Sequence, residues 1–215
     1  EPRLAARRQA LIATLLAQIG SLEKPLGQLV GLAQQAEDRQ SLSVALNPRQ
    51  RDSVNLAALL RPFADAGVLT LTGDALAFAD AAARDFVKGG WLEHHVYQTV
   101  ARLGADLGLR DKAANLEVTD ATGVTNELDV VFLARNRLFI IECKTARMDQ
   151  PQAPKANDTL FKLAEIVRRV GGLGAHGLLA SYRPLRDSEK RLARALRIEL
   201  VCGPELTRLE SRLKA

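Results

Sequence analysis

The sequence predicts an α/β fold in two parts, and three observations predict it. Apolar residues recur at helical spacing through the first 66 positions. A short hairpin pattern then closes that stretch. From residue 91 the order becomes helix, three strands, helix, strand, with extensions.

Leu4, Leu11, Leu15, Leu16 and Ile19 mark a first helix that Gly20-Ser21 is expected to stop. Leu26, Leu29, Val30 and Leu32 mark a second helix, and residues 41–48 a break. Val54, Leu56, Leu59, Leu60 and Phe63 mark a third. Val68 to Leu71, a turn at Gly73-Asp74 and Ala75 to Ala79 read as two short strands. Three helices and a two-stranded wing make a winged-helix-like pattern, whose functional reading is DNA binding and whose plainer reading is a linker or dimerisation module. Its third helix has Arg49, Arg51 and Arg61 nearby against Asp52 and Asp65, a sparse basic face for a base reader. The module is placed at 1–85 and the second domain at 86–215.

In the second domain a helix runs from Trp91 to Leu107, with Trp91 in the core. Strands are expected over 114–119, 125–134 and 137–145. A link with Pro151 and Pro154 leads to a helix over 157–170, stopped by Gly171-Gly172. His176 to Ser181 is almost wholly apolar, as a buried parallel strand should be. A helix over 186–196, a strand Ile198 to Cys202 and a final helix from 204 complete the order.

Composition bounds the function. Of 215 residues, 47% are apolar and 26% charged, which excludes global disorder. No apolar run is long enough to span a membrane, so no membrane partner is expected. Glu1-Pro2-Arg3 does not open like a signal peptide, and a start without Met is what a fragment of a longer chain is expected to show. Two cysteines, Cys143 and Cys202, make neither a disulfide scaffold nor a Cys-x-x-Cys zinc site, and a reducing cytoplasm is expected. The net charge of +5 is uneven: residues 89–161 carry −2 and residues 162–215 carry +6. An acid-containing centre followed by a basic tail suits an enzyme that holds metal with carboxylates and polyanions with Lys and Arg.

The chemistry concentrates between Thr125 and Thr145. Asn126-Glu127-Leu128-Asp129 opens one strand, and Leu138 to Ile141 leads into Glu142-Cys143-Lys144 on the next. Strand residues two apart share a face, so Glu127 lies with Asp129 and Glu142 with Lys144. A hairpin turning symmetrically about Arg135-Asn136 pairs residues whose numbers sum to 271. Asp129 then falls opposite Glu142, and Glu127 opposite Lys144. Carboxylates so close repel unless a cation sits between them. Hard oxygen donors favour Mg²⁺ or Mn²⁺, which can activate water and stabilise charge on phosphorus. Lys144 can orient the water or steady the phosphate. The alternative is a solvated sheet face laced with ion pairs.

The blocks Gly89-Gly90-Trp91-Leu92-Glu93, Asn126 to Phe132 and Ile140-Ile141-Glu142-Cys143-Lys144-Thr145 resemble the nuclease half of CARF-linked CRISPR ancillary nucleases. These are PD-(D/E)xK enzymes with a restriction-endonuclease-like core. Lys162-Leu163 and Gly171 to Gly174 fit the same pattern. The resemblance covers roughly residues 55–200. It implies Asp129 and Glu142 as metal ligands with the Cys143 carbonyl, Lys144 as the catalytic lysine and Glu93 as a further acid beside the metal. Glu127 stays open between ligand and partner of Lys144, and the Cys143 thiol is expected on the buried face. Such proteins carry a sensor for cyclic oligoadenylate ahead of the nuclease. The 215 residues leave no room for one, so that ligand is expected only if a sensor lies elsewhere.

Lys162, Arg169 and Arg183, with Arg168, are candidate phosphate contacts, or a solvated helix face. Lys190, Arg191, Arg194 and Arg197 read either way as well. His94 and His95 diverge by about 100° on a helix and read as surface or packing residues. The expected function is Mg²⁺- or Mn²⁺-dependent endonucleolytic cleavage of DNA, RNA or both, in antiviral defence, by a homodimer. Three rivals are an idle nucleic-acid-binding core, a repair or junction nuclease of the same fold, and an interaction protein with a solvated acid patch.

Overall fold

A computed structural model of the chain describes residues 2–119, 123–145, 156–171 and 174–214. The Pro151–Pro154 link and the turn at Gly172 and Leu173 lie outside the described residues. The chain divides into two compact units, Glu1–Trp91 and Leu92–Ala215.

The first unit contains α1 (Pro2–Ala17), α2 (Ile19–Asp38), β1 (Ser43–Ala45), α3 (Pro48–Arg51), α4 (Val54–Asp65), β2 (Leu69–Thr72), β3 (Ala75–Phe78) and α5 (Ala81–Asp85). The first helix ends at Ala17 and the next begins at Ile19, so Gly20-Ser21 starts α2 rather than stopping α1. The break at 41–48 holds a strand: Val44 pairs with Leu76, and the sheet order is β1-β3-β2, all antiparallel. Caps set the helix starts. Asn47 accepts from Gln50 N–H, Ser53 from Leu56 N–H and Asp80 from Ala83 N–H. Leu15, Leu29, Leu56, Phe63, Val68 and Leu76 are fully buried. Arg51 is ion-paired to Asp74 in the hairpin turn, which draws one of the few basic groups of this module away from an outside anion.

The second unit is built on a five-stranded sheet, order β4-β5-β6-β7-β8. The π-helical turn Phe86–Gly90 ends the first unit and leads into α6 (Trp91–Arg102), which is followed by α7 (Gly104–Leu107). The strands are β4 (Leu109–Thr119), β5 (Thr125–Ala134), β6 (Arg137–Lys144), β7 (His176–Ser181) and β8 (Ile198–Cys202). Between them come α8 (Ala156–Gly171) and α9 (Asp187–Ala195); a 3-10 turn (Gly203–Arg208) and α10 (Leu209–Lys214) follow.

β4, β5 and β6 form an antiparallel meander, while β6, β7 and β8 run parallel. The two-residue turn between β5 and β6 is Arg135-Asn136, with φ of +50° and +60°. Two successive left-handed residues match the right-handed twist of a hairpin. Ladder pairs from Ala134↔Arg137 to Val130↔Ile141 follow the expected sum of 271. β4 starts at Leu109, earlier than its apolar pattern suggests, because its first half is polar (Arg110, Asp111, Lys112). Charges belong on an edge strand, where they block pairing with other chains.

One apolar cluster contains Val131, Ile140, Leu160, Leu163, Ile166, Leu179 and Ile198, and so joins the sheet to α8. Gly177 on β7 allows the close fit: a Cβ there would stand 2.6 Å from Ile198 Cδ1 and 2.9 Å from Val167 Cγ2. β7 is buried from Gly177 to Ser181, with parallel partners on both sides.

Candidate functional site

The β5–β6 ladder stops at Val130↔Ile141. One position further, Asp129 Oδ2 accepts a 2.7 Å hydrogen bond from the Cys143 N–H. A side chain thus takes a backbone donor just where the strands cease to pair. β6 continues against β7, where the Tyr182 N–H donates to the Lys144 carbonyl at 2.8 Å. In a strand, the N–H and C=O of one residue point to the same edge, and successive residues alternate edges. Lys144 therefore directs its carbonyl to β7. Cys143 directs its carbonyl, like its N–H, toward β5 and the Asp129 carboxylate.

Glu142 and Lys144 share one face of β6, and Lys144 Nζ lies 2.6 Å from Glu142 Oε1. Their side chains are 15% and 32% exposed, sheltered but open to solvent. The Cys143 thiol points the other way and is buried, and burial raises its pKa well above the usual thiol range.

The charges act on one another. Burial first, then the Glu142 carboxylate, pushes the Asp129 pKa up to about 7; Lys144 and the Cys143 N–H pull against this, and Glu93 adds to it. Burial opposes charge on Lys144, but Glu142 and Asp129 outweigh it and raise its pKa. Glu93, in the first turn of α6, is half-buried and also acts on Cys143. Glu93, Asp129, Glu142 and Lys144 thus form one electrostatic group.

Glu127 stands apart. It is exposed and pairs across β4–β5 with Glu117. The expected opposition of Glu127 and Lys144 fails because β5 and β6 have already parted. In the ladder Lys144 faces Ser181 on β7, a fully buried residue that sequence reading passed over. Its only signal was its place at the end of an apolar strand.

Lys162 and Arg169 lie on α8 and line a cleft of about 490 Å³ with Val118, Thr119 and Asn126. Arg183 is only 6% exposed, which departs from the expected surface contact for phosphate; it sits just past β7, where the chain is covered. Arg168 is bonded to Glu165 on the surface of α8. His94 is exposed and His95 half-buried.

Among the described residues, no three or more His, Cys, Asp or Glu side chains are arranged to hold a metal ion. The donors still fit a hard divalent cation. Mg²⁺ needs only one or two carboxylates, with water and substrate oxygens completing its shell. Asp129, Glu142 and the Cys143 carbonyl offer oxygen alone, and the Glu142 carboxylate adds to the burial that raises the Asp129 pKa.

A mixed sheet with an acid at the parting of two strands, followed by Glu-x-Lys on the second, defines a nuclease core of the restriction-endonuclease-like kind. The model of the Card1-like endonuclease domain matches residues 80–215, and the chain belongs to that family. Two solved structures are similar over nearly the whole chain. Protein VC1899 from Vibrio cholerae is 30% identical, with a TM-score of 0.89, over 100% of this chain and 56% of its own. Can2 from Sulfobacillus thermosulfidooxidans, solved in complex with cyclic tetra-adenylate, is 26% identical, with a TM-score of 0.76, over 96% of this chain and 54% of its own. The chain thus spans about half the length of each. None of the curated proteins matches it. The resemblance to CARF-linked CRISPR ancillary nucleases drawn from the sequence is borne out at the level of family and fold. No helix among the described residues is long and apolar enough to cross a membrane.

Proposed function

We propose that this chain is a divalent-metal-dependent endonuclease acting on phosphodiester bonds of DNA, RNA or both. The observation that carries the reading is the meeting of Asp129, Glu142 and Lys144 where β5 leaves β6. Asp129, Glu142 and the Cys143 carbonyl would hold Mg²⁺ or Mn²⁺, with Glu93 as a further acid close by. Such an ion lowers the pKa of bound water and offsets charge developing on phosphorus.

The chain's own residues do the rest. Lys144, sheltered and charged, places an ammonium beside the carboxylates, where it orients the attacking water and attracts the scissile phosphate. The Cys143 N–H fixes the Asp129 carboxylate. Lys162 and Arg169 offer cations along a cleft for the strand backbone. Arg183, 6% exposed, is placed to act from beneath the surface. Glu127, exposed beside Glu117, is a poor ligand.

The wider reading is a defence nuclease of the CRISPR-associated kind, cytoplasmic and homodimeric, with residues 1–85 as a linker or dimerisation module. Response to a cyclic oligoadenylate is proposed only for a longer protein that includes a sensor, by analogy with the ligand of Can2. The test is incubation of supercoiled plasmid and single-stranded RNA with the chain in Mn²⁺, Mg²⁺ or EDTA, beside Glu142→Ala. Cutting that requires metal and disappears in the variant supports the reading. Cutting that survives in Glu142→Ala refutes this site.

A further inference from the structure

A second cavity lies on the other face of the same sheet, at its other end. Its volume is about 420 Å³, within the range of small-ligand sites. Phe139 stands on the odd-numbered face of β6, opposite to the face of Glu142 and Lys144. Phe139 lies five positions from Lys144, about 16 Å along the strand. The cavity is therefore distinct from the cluster around Asp129.

Its composition is particular. Phe132, Phe139 and His176 occupy one row across β5, β6 and β7, in direct register. The Phe132 and Phe139 rings are stacked with centroids 4.7 Å apart, and the Phe139 and His176 rings with centroids 5.0 Å apart. Phe139 and His176 are half-buried, so the row is partly open. Arg135, Arg137, Arg212 and Lys214 also line the cavity, against one carboxylate, Glu199, among its lining residues.

The guanidinium charges remain available. Arg135 donates to the Asp106 carbonyl at 3.1 Å, and Arg137 lies 3.4 Å from His176 Nε2. The first contact is to a backbone carbonyl and the second to an imidazole ring, so neither pairs the guanidinium with a carboxylate. Lys214 is paired to Asp106 and, more loosely, to Glu210.

Aromatic rings beside several guanidinium groups match a flat heterocycle joined to an anion. We propose that this cavity binds a nucleoside phosphate. The base packs against the Phe139–His176 edge of the row. The phosphate meets Arg137 and Arg212, guanidinium being suited to bidentate phosphate contact. Glu199 accepts from the ribose hydroxyls or an exocyclic amine. The ligand is either a free nucleotide or the phosphorylated end of a strand, since both present this chemistry.

The site does not depend on cleavage, and its test is run in EDTA on the whole chain. Isothermal titration uses AMP, CMP, adenosine, inorganic phosphate and a 5′-phosphorylated dinucleotide. A mononucleotide should bind saturably. Arg137→Gln and Arg212→Gln, both surface changes, should each weaken it about tenfold. Phe139→Leu should weaken adenosine and AMP together, with circular dichroism checking that it folds. Glu142→Ala should bind as the parent does. Tighter binding of the dinucleotide assigns the site to strand ends, and preference for the free mononucleotide assigns it to a soluble ligand. Absence of saturable binding overturns the proposal. So does inorganic phosphate binding as tightly as AMP, or affinity unchanged in Arg137→Gln and Phe139→Leu.

Discussion

The Cys143 N–H donates to Asp129 Oδ2 at 2.7 Å, just beyond Val130 and Ile141, the last paired residues of β5 and β6. This bond does two things. It satisfies a backbone donor that the parting strands would otherwise leave without its ladder partner. It also fixes a carboxylate beside Glu142, where two like charges oppose each other. The fold thus holds an unfavourable pair in place, and stability and function are expected to conflict there.

Asp129→Asn tests that conflict. Asn keeps an oxygen acceptor for Cys143 but carries no charge. The folded Asp129 pKa is about 7, against 3.8 for an ordinary Asp. A raised carboxyl pKa means that the folded state binds more protons between these values. The associated stability is present below pH 4 and is lost as pH rises through 7. In EDTA at pH 8 the variant should therefore be more stable, on the order of 2 kcal/mol after allowing for partial exposure. That is several degrees in Tm. Mn²⁺ should raise the Tm of the parent and barely move that of the variant. A variant that melts below the parent in EDTA would show that the carboxylate charge is not under strain.

Lys144→Gln separates two roles of the lysine. Its ammonium pairs with Glu142 at 2.6 Å, and so competes with a metal for that carboxylate. Removal should leave Mn²⁺ affinity equal or up to about tenfold tighter by calorimetry. Cleavage should fall roughly a hundredfold to a thousandfold, the usual effect of losing one charge-stabilising donor. Weaker Mn²⁺ binding would mean that the lysine organises the acids rather than competing for them.

The acid side of the stability profile should depend on His95. Burial first, then Arg102 and His94, lowers its pKa to about 4, from 6.5. A depressed histidine pKa means that the unfolded chain binds more protons between these values. Stability is present in full above pH 6.5 and is lost as pH falls toward 4. The Asp129 carboxyl works in the opposite direction over this range in both proteins, so urea unfolding at pH 7.5 and pH 5 should show the parent faring worse on acidification than His95→Gln by on the order of 2 kcal/mol. Equal losses in the two proteins would remove His95 as the cause.

The hairpin shows what was legible in the sequence. A two-residue turn fixes register, so the pairing of Val130 with Ile141 followed from counting, and with it the approach of Asp129 to Glu142. Alternation also placed the Cys143 thiol inside and Lys144 beside Glu142. Counting does not say where a ladder ends. Glu127 was therefore set against Lys144, although β5 has turned to β4 alone by that point. The burial of Arg183 and the short strand at Val44 depend on tertiary partners distant in sequence, which no local pattern encodes. The row of Phe132, Phe139 and His176 needs the parallel register of β6 and β7, which 31 intervening residues conceal from a reader of the chain.

That parallel register suggests the last test, Gly177→Ala. Gly177 pairs with Ile140 on one side and Ile198 on the other, in the strand that links both ends of the sheet. An added Cβ would meet Ile198 Cδ1 at 2.6 Å and Val167 Cγ2 at 2.9 Å, so α8 or β8 must shift. Overpacking of this kind costs about 1–3 kcal/mol. Gly177 also borders the cavity with the aromatic row, but a Cβ there would lie on the opposite face, which it shares with Leu179 and Ser181 and with Glu142 and Lys144. Thermal melting should show the loss of stability. Ile198→Val made together with Gly177→Ala should recover part of it by removing the contacted methyl group. A double variant no more stable than Gly177→Ala would place the strain at Val167 and α8 instead.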